Sequence, residues 1–268
     1  MGRGRARNRG GDLLSGERTG QLLLGALPLA CLLALWHGIA AAGLAPAALL
    51  PSPSAVAARL FEQLRNPLFL AHTATTLIRL FAGFAIAVVV GVTLGLAAAS
   101  NRRAEALIRP LWRVLAPVPK IALYPALVLL LGFEHASKVA LVVADAVFPI
   151  LLATYQGAAA VEPKLVWSAR AAGASRNRAL LTVVLPAALP TILTGARIGL
   201  VISAIVVFLA EMLTSTDGLG HLLIYASRTF HTVDMFVPLI TISITGLMLN
   251  AGFNALRKRL LMGFPDEP

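Results

Sequence analysis

Two carboxylates, Asp145 and Glu211, fall inside or at the edge of long apolar runs. An ionised side chain is costly there and marks either a functional group or a buried pair. As coupling-ion residues they would drive a self-sufficient carrier or channel. As paired groups they need cations, and Arg79, Lys120 and Arg197 lie in or near the ends of other apolar runs. Pairing is the plainer reading, because a buried charge is tolerated when a counter-charge and hydrogen bonds accompany it. Thr154, with Tyr155 and Gln156, ends another apolar run in hydrogen-bonding groups. These could face an aqueous cavity, but Tyr favours the membrane interface, the blander place for all three. Asp145, Glu211 and Thr154 are therefore the candidates for a translocation path or gate, each with a structural alternative.

Other chemistry finds little support. His37, His72, His135, His221 and His231 show no His-Glu-x-x-His spacing, and the isolated serines lack a Gly-x-Ser-x-Gly setting. The lysines, Lys120, Lys138, Lys164 and Lys258, follow Pro119, Ser137, Pro163 and Arg257, so the Gly-Lys-Ser/Thr core of a phosphate-binding loop does not occur. Cys31 is the single cysteine, which excludes an intrachain disulfide and a cysteine-based zinc or iron–sulfur site. The expectation is a chain with no catalytic residue, no metal and no cofactor of its own.

The elements that must position these residues are apolar helices. Of 268 residues 58% are hydrophobic and only 13% charged, against about 25% charged in a soluble domain. A mean hydropathy of +0.81 agrees and excludes a soluble enzyme. After a basic tail over residues 1–20, candidate spans run over 21–43, 73–100, 116–132, 136–156, 189–213 and 235–253, each near the roughly 20 residues that cross a bilayer. The fold class expected is all-α, a polytopic membrane protein of about six transmembrane helices, with a transmembrane domain over 21–260 and a tail over 261–268. Pro117, Pro119 and Pro125 interrupt the third span, which also contains Lys120, so it reads as broken or interfacial at its start.

Lys and Arg set the orientation. Sixteen of them fall in the two termini and the loops around residues 102–113 and 164–178, against Arg59, Arg65, Lys138 and Arg228 on the opposite side. By the positive-inside rule both termini and those loops are cytoplasmic. The net charge of +11 is thus read as topology and contact with the lipid bilayer, and no nucleic-acid partner is expected. The first run also has a signal-peptide look, with small residues at Ala40, Ala41 and Ala42. Its length and an even span count favour an uncleaved anchor. Ser52 and Pro53 predict an outer-surface helix with Val56, Leu60, Phe61 and Leu64 on one face, and His221 to Phe230 predict a second short amphipathic helix.

The cytoplasmic segment 160–186 is too long for a mere connection. Pro163 starts a helix, Gly173 ends or bends it, and Ala169, Ala171, Ala172 and Ala174 allow another surface to approach closely. Such a compact pair with a basic edge suits the docking of a soluble partner. Its residues resemble the coupling motif of the permeases of binding-protein-dependent ABC importers, Glu-Ala-Ala, three residues, Gly, nine residues, Ile, any residue, Leu-Pro. Ala169 matches the second Ala, Gly173 the Gly, Val183 stands for Ile, and Leu185-Pro186 close the pattern. Trp167 and Ser168 replace the Glu and the first Ala.

Further stretches, Leu50-Pro51-Ser52-Pro53, Pro117 to Pro125, Phe148-Pro149-Ile150, and Ala210-Glu211-Met212-Leu213 followed by Gly218-Leu219-Gly220, resemble the nitrate, sulfonate and taurine branch. The resemblance implies a type I importer permease in a bacterial inner membrane, a homodimeric pore, ABC-type ATPase subunits that hold ATP and Mg, and an extracytoplasmic substrate-binding protein. It implies an ATPase-coupling loop made by Trp167, Ser168, Ala169, Gly173, Ala174, Val183, Leu185 and Pro186, and a place near an outer gate for Glu211. Translocation would be by alternating access, of a small anion such as an aliphatic sulfonate, taurine or nitrate, with a thiamin pyrimidine precursor as the alternative.

Overall fold

A computed structural model describes residues 27–46 and 48–262; part of the first expected span and both terminal tails lie outside them. The described chain is helical: α1 (Leu27–Ala41), α2 (Pro53–Gln63), α3 (Pro67–Ser100), α4 (Arg102–Leu115), α5 (Tyr124–Leu131), α6 (His135–Ala159), α7 (Pro163–Ala171), α8 (Arg176–Ala179), α9 (Leu185–Thr214), α10 (Leu219–Arg228) and α11 (Thr232–Leu260). A 3₁₀ turn (Lys120–Leu123) precedes α5, and a π turn (Leu180–Val184) joins α8 to α9.

Local chemistry sets the helix starts. The Ser52 hydroxyl accepts from the Ala55 N–H at 3.3 Å, with Pro53 in the first turn of α2. Asn66 and Asn101 cap α3 and α4 in the same way, at 3.0 and 2.9 Å. In α2, Val56 is fully buried, whereas Phe61 and Leu64 of the same expected face are exposed.

Among the described residues four helices are long and apolar enough to cross a membrane: α3, α6, the continuous rod Arg176–Thr214 and α11. The sequence expects a third span over 116–132. Instead α4 and the segment Lys120–Leu131 qualify only together, bent by 90°. Pro117 and Pro119 at the bend deny the chain two backbone donors and separate α4, basic on one face, from the apolar α5. Tyr155 fastens α4 to α6, its hydroxyl donating to Glu105 at 2.6 Å and its ring lying 5.0 Å from Trp112.

α6 is the centre of the bundle, packed along both α3 and α9. Glycines bring the backbones together. A Cβ on Gly83, Gly91 or Gly95 of α3 would lie 2.5 to 2.9 Å from Val142, Ile150 or Thr154 of α6, and one on Gly199 of α9 would lie 2.8 Å from Ile150. These are the close approaches that small residues permit between membrane helices. Leu80, Leu141, Val142 and Val207 fill the layer between them.

One end of this slab is locked by charge. Arg79 of α3 and Glu211 of α9 are each 1% exposed, and the Arg79 Nη1 lies 2.9 Å from Glu211 Oε1. Its Nη2 meets Asp217 Oδ1 at 2.6 Å and its Nε donates to His135 Nδ1 at 3.2 Å. The other oxygen of Glu211 accepts from the Thr76 hydroxyl at 2.8 Å and the Gly220 N–H at 3.2 Å. The Leu219 N–H donates to Thr76 Oγ1 at 2.9 Å and the Gly218 N–H to His72 Nδ1 at 3.0 Å. Gly218 adopts φ 95°, and a Cβ there would fall on the Glu211 carboxyl group. Beside the clamp, α11 is tied to α2 by Arg59 and Asp234 at 2.5 Å and to α1 by Trp36 stacked on Phe236.

Burial alone would raise the Asp217 carboxyl, but hydrogen bonds from Arg79 and Ser215 outweigh it and hold the group below its usual range. Two expectations follow from the clamp. Glu211→Leu should lower the unfolding free energy by about 3–5 kcal/mol, and adding Arg79→Leu to the same chain should return part of that loss. Thermal unfolding in detergent measures both, and strict additivity of the single losses would contradict a coupled pair. A carboxylate with a depressed folded pKa contributes stability that is present above its unfolded value of about 4 and lost as pH falls through the folded one. Asp217→Asn should therefore flatten the acid limb of a stability–pH profile below about pH 4.

Candidate functional site

At the other end of the slab, residues 160–186 form a helix pair whose geometry accounts for the motif. α7 starts at Pro163, whose missing N–H is no loss in the first turn. It ends where the Ala174 N–H reaches the Ala169 carbonyl and the Gly173 N–H reaches the Arg170 carbonyl, both at 3.0 Å. That is a Schellman motif with Gly173 in the left-handed position at φ 90°. Nothing lies within 4 Å of a Cβ built there, so backbone conformation, not space, demands the glycine. Ser175 then caps α8, accepting from the Arg178 N–H at 3.3 Å.

The end of the motif is the π turn. Pro186 has no N–H, and its ring would crowd the Thr182 carbonyl in a regular helix. The chain widens instead, and the Leu185 N–H bonds to the Leu180 carbonyl five residues back. Val183 lies in this turn, and the rod runs through Leu185 and Pro186 without a break from Arg176 to Thr214.

The pair is anchored on one side and bare on the other. Val166, Leu180 and Leu185 pack against the buried Leu96, Ala158, Ala188 and Ile192 at the ends of α3, α6 and α9. Arg176 donates to the Ser100 carbonyl, closing the pair onto α3. Ala169, Ala174 and Val183 are half-buried, while Ser168, Gly173 and Pro186 are exposed. α7 buries no residue fully, and its Trp167 is 68% exposed beside Leu165 at 50%. A cleft of about 390 Å³ opens where Trp167, Arg170 and Arg176 face Ser100 and Ala159. Trp167 and Leu165 thus form an exposed apolar patch with a basic edge, a type of surface that marks interaction sites in proteins generally.

The acidic candidates are both engaged within the chain. Glu211 belongs to the clamp. Asp145 lies 3.4 Å from Lys120 Nζ, which also donates to the Ala116 carbonyl at 2.7 Å and sits 4.7 Å over the Phe148 ring. Thr154, considered from its position for a cavity or the interface, is fully buried against Gly95 and donates to the Ile150 carbonyl at 2.7 Å. It occupies a packing position.

A cavity that the sequence does not announce lies along α9 and α11. It is a groove of about 850 Å³, mostly apolar, lined by Ile198, Val201, Ile205 and Leu247 with Thr194, Arg197, Ser243 and Asn250 among them. Arg197 enters the sequence reading only as a possible partner for a carboxylate. Its partner is neutral: Nε donates to Asn250 Oδ1 at 2.8 Å. The available signal was an arginine eight residues inside the expected span 189–213 and an asparagine near the end of the span 235–253.

Comparison with known proteins agrees with this geometry. Residues 87–261 match the family described as binding-protein-dependent transport system inner membrane component. The chain is 30% identical over 90% of its length to the taurine transport system permease protein TauC of Escherichia coli K12, of which 89% is covered. It is 31% identical over 90% of its length to the formylaminopyrimidine transport permease protein ThiX of Halalkalibacterium halodurans, of which 95% is covered. An inward-facing structure of the MetNI methionine ABC transporter shares its fold, with a TM-score of 0.55 and 20% identity over 76% of this chain and 96% of that one. Matched over most of its length, with the coupling motif built as a capped helix pair on a continuous rod, the chain belongs to the binding-protein-dependent transport system inner membrane component family, the permeases of ABC importers.

Proposed function

We propose that this chain is the pore-forming subunit of an ATP-driven importer and that the surface around Trp167 and Gly173 receives a cytoplasmic ATPase subunit. The observation that carries the reading is α7, a short helix fixed at its base by Val166 and ended by Gly173 in a left-handed turn, with Trp167 and Leu165 exposed. A closed connection between two spans has no use for such a surface. ATP and Mg belong to the partner, since no phosphate-binding loop occurs in this sequence.

In this reading, closure of two ATPase subunits draws two such helix pairs together, and the rods re-pack the spans between outward and inward openings. Physically this is a two-state packing biased by a ligand at a distant site. The excess of Lys and Arg supports cytoplasmic termini and a cytoplasmic α7. A second copy of the chain would complete the pore, and a binding protein on the outer side would deliver the cargo. We favour a small anion of the sulfonate type, in line with the taurine permease relative; the equally similar formylaminopyrimidine permease relative names the competing cargo class. A carrier driven by Asp145 and Glu211 has less support, because both carboxylates already face cations within the chain.

The test is purification of the tagged chain from its host in mild detergent, with mass spectrometry of what accompanies it and an ATPase assay. A co-purifying ABC-type ATPase is expected; a chain that comes out alone and moves solute in liposomes without ATP would sink the reading. Gly173→Trp forces an L-residue into the left-handed region at a cost of about 1–2 kcal/mol and obstructs the platform. It should reduce uptake at least tenfold while leaving the protein in the membrane, and undiminished uptake would refute the coupling role. Trp167→Ala should release the ATPase subunit more readily, by about tenfold in affinity, as read by retention on washing.

A further inference from the structure

Four cations, Arg79, Lys120, Lys138 and Arg197, lie within the apolar elements of the bundle, and two of them face carboxylates. Arg79 faces Glu211 and Asp217, and Lys120 faces Asp145. Lys138 has no carboxylate but donates to the Phe133 and Glu134 carbonyls, whereas Arg197 has no carboxylate within reach among the described residues and a single neutral partner. Its place makes that costly. In the rod Arg176–Thr214 it stands roughly 30 Å from one end and 25 Å from the other at about 1.5 Å per residue. Within the expected span 189–213 it lies eight residues, about 12 Å, inside the cytoplasmic end. An intramembrane charge held by a neutral partner instead of a carboxylate is a functional-site candidate.

The geometry around it is that of a holder with its hands free. Nε is occupied by the Asn250 carbonyl oxygen at 2.8 Å, which fixes the plane of the guanidinium. The two terminal nitrogens carry no hydrogen bond among the described residues, and neither does the Asn250 amide nitrogen. The half-buried Arg197 lines the groove of about 850 Å³ between α9 and α11. Parallel N–H donors of a guanidinium match an anion that offers two oxygens, and the match is strongest where water is excluded. The remaining walls, Ile198, Val201 and Leu247 among them, are apolar and suit a short alkyl portion.

We infer that Arg197, positioned by Asn250, is an anion-binding site within the pore for a small organic oxyanion, bound bidentately through its sulfonate or carboxylate. The cargo supplies the counter-charge that the chain withholds, so selection by charge is exercised in the membrane as well as by any delivery protein. This inference rests on the permease reading above.

The test uses the full chain purified with whatever subunits it retains, in detergent at fixed ionic strength. Ethanesulfonate is the probe, and dimethyl sulfone, neutral and of similar bulk, is the control, both followed by calorimetric titration. The unaltered protein should bind ethanesulfonate and not the sulfone. Arg197→Gln should weaken that binding at least tenfold, and Arg197→Lys, which keeps the charge and loses the fork, should fall between. Asn250→Asp gives Arg197 an internal counter-charge; it too should weaken ethanesulfonate at least tenfold, and its fold is checked by thermal unfolding in the same detergent, which keeps the idea testable if Arg197→Gln misfolds. Equal affinity in a folded Arg197→Gln or Asn250→Asp protein, or no preference of the unaltered protein for the anion, overturns the site. ATPase retention is scored separately on the same preparations. Its absence from the unaltered protein would defeat the permease reading, whereas its presence with unchanged ethanesulfonate binding in the variants would defeat the Arg197 site alone.

Discussion

The distance at which α3, α6 and α9 lie from one another governs the rest of this molecule. In hydrocarbon there is little hydrophobic gain in pressing helices together, and cohesion comes from close contact and from polar groups that find each other. Gly83, Gly91 and Gly95 on one side of α6, and Gly199 on the other, remove the side chains that would hold the backbones apart. With the three helices fixed at that spacing, Arg79 can reach Glu211 across 132 residues of sequence. The ends of the same helices also form the shelf on which Val166 and Leu180 seat the coupling pair. A wider spacing would loosen the ionic clamp at one end and the docking platform at the other.

The two ends are built from different physics, suited to what each must do. The clamp is buried, charged and satisfied by several partners at once, so small displacements are expensive. The platform is exposed and held by a modest apolar footprint, with its shape set by backbone conformation at Gly173 and by the π turn before Pro186. Between them the rod passes the groove that contains Arg197. One continuous helical rod thus touches the proposed docking surface, the candidate anion site and the clamp.

Much of this was legible in the sequence, and the parts that were not have a common cause. The spacing from Ala169 through Gly173 to Leu185-Pro186 could be read directly because each residue answers a local demand: a left-handed turn, a cap, a missing donor. The start of α2 at Ser52-Pro53 was readable for the same reason. The third span was anticipated as broken from its prolines, but α4 was taken only as a basic loop. Its arginines were counted for charge, while the helical spacing of Leu107, Leu111 and Val114 went unused. Long-range relations stayed hidden. The cations available to Glu211 and Asp145 could be enumerated, whereas which one reached which carboxylate depended on helix rotation. Thr154 ends the apolar stretch in sequence and yet lies in the packed interface with Gly95. That Arg197 meets an asparagine and no carboxylate is visible only once the helices are packed.

The contact between Gly218 and Glu211 has a consequence for how this chain can change over generations. A methyl group at 218 and a carboxyl at 211 claim the same volume. Enlarging the first requires shortening the second, and shortening the second takes a counter-charge from a buried arginine. Each of the three single steps leads downhill in stability, and even with all three replaced a side chain at 218 stays in the left-handed region. Backbone conformation and side-chain volume therefore hold glycine at 218 for two separate reasons, and relief of one leaves the other in force.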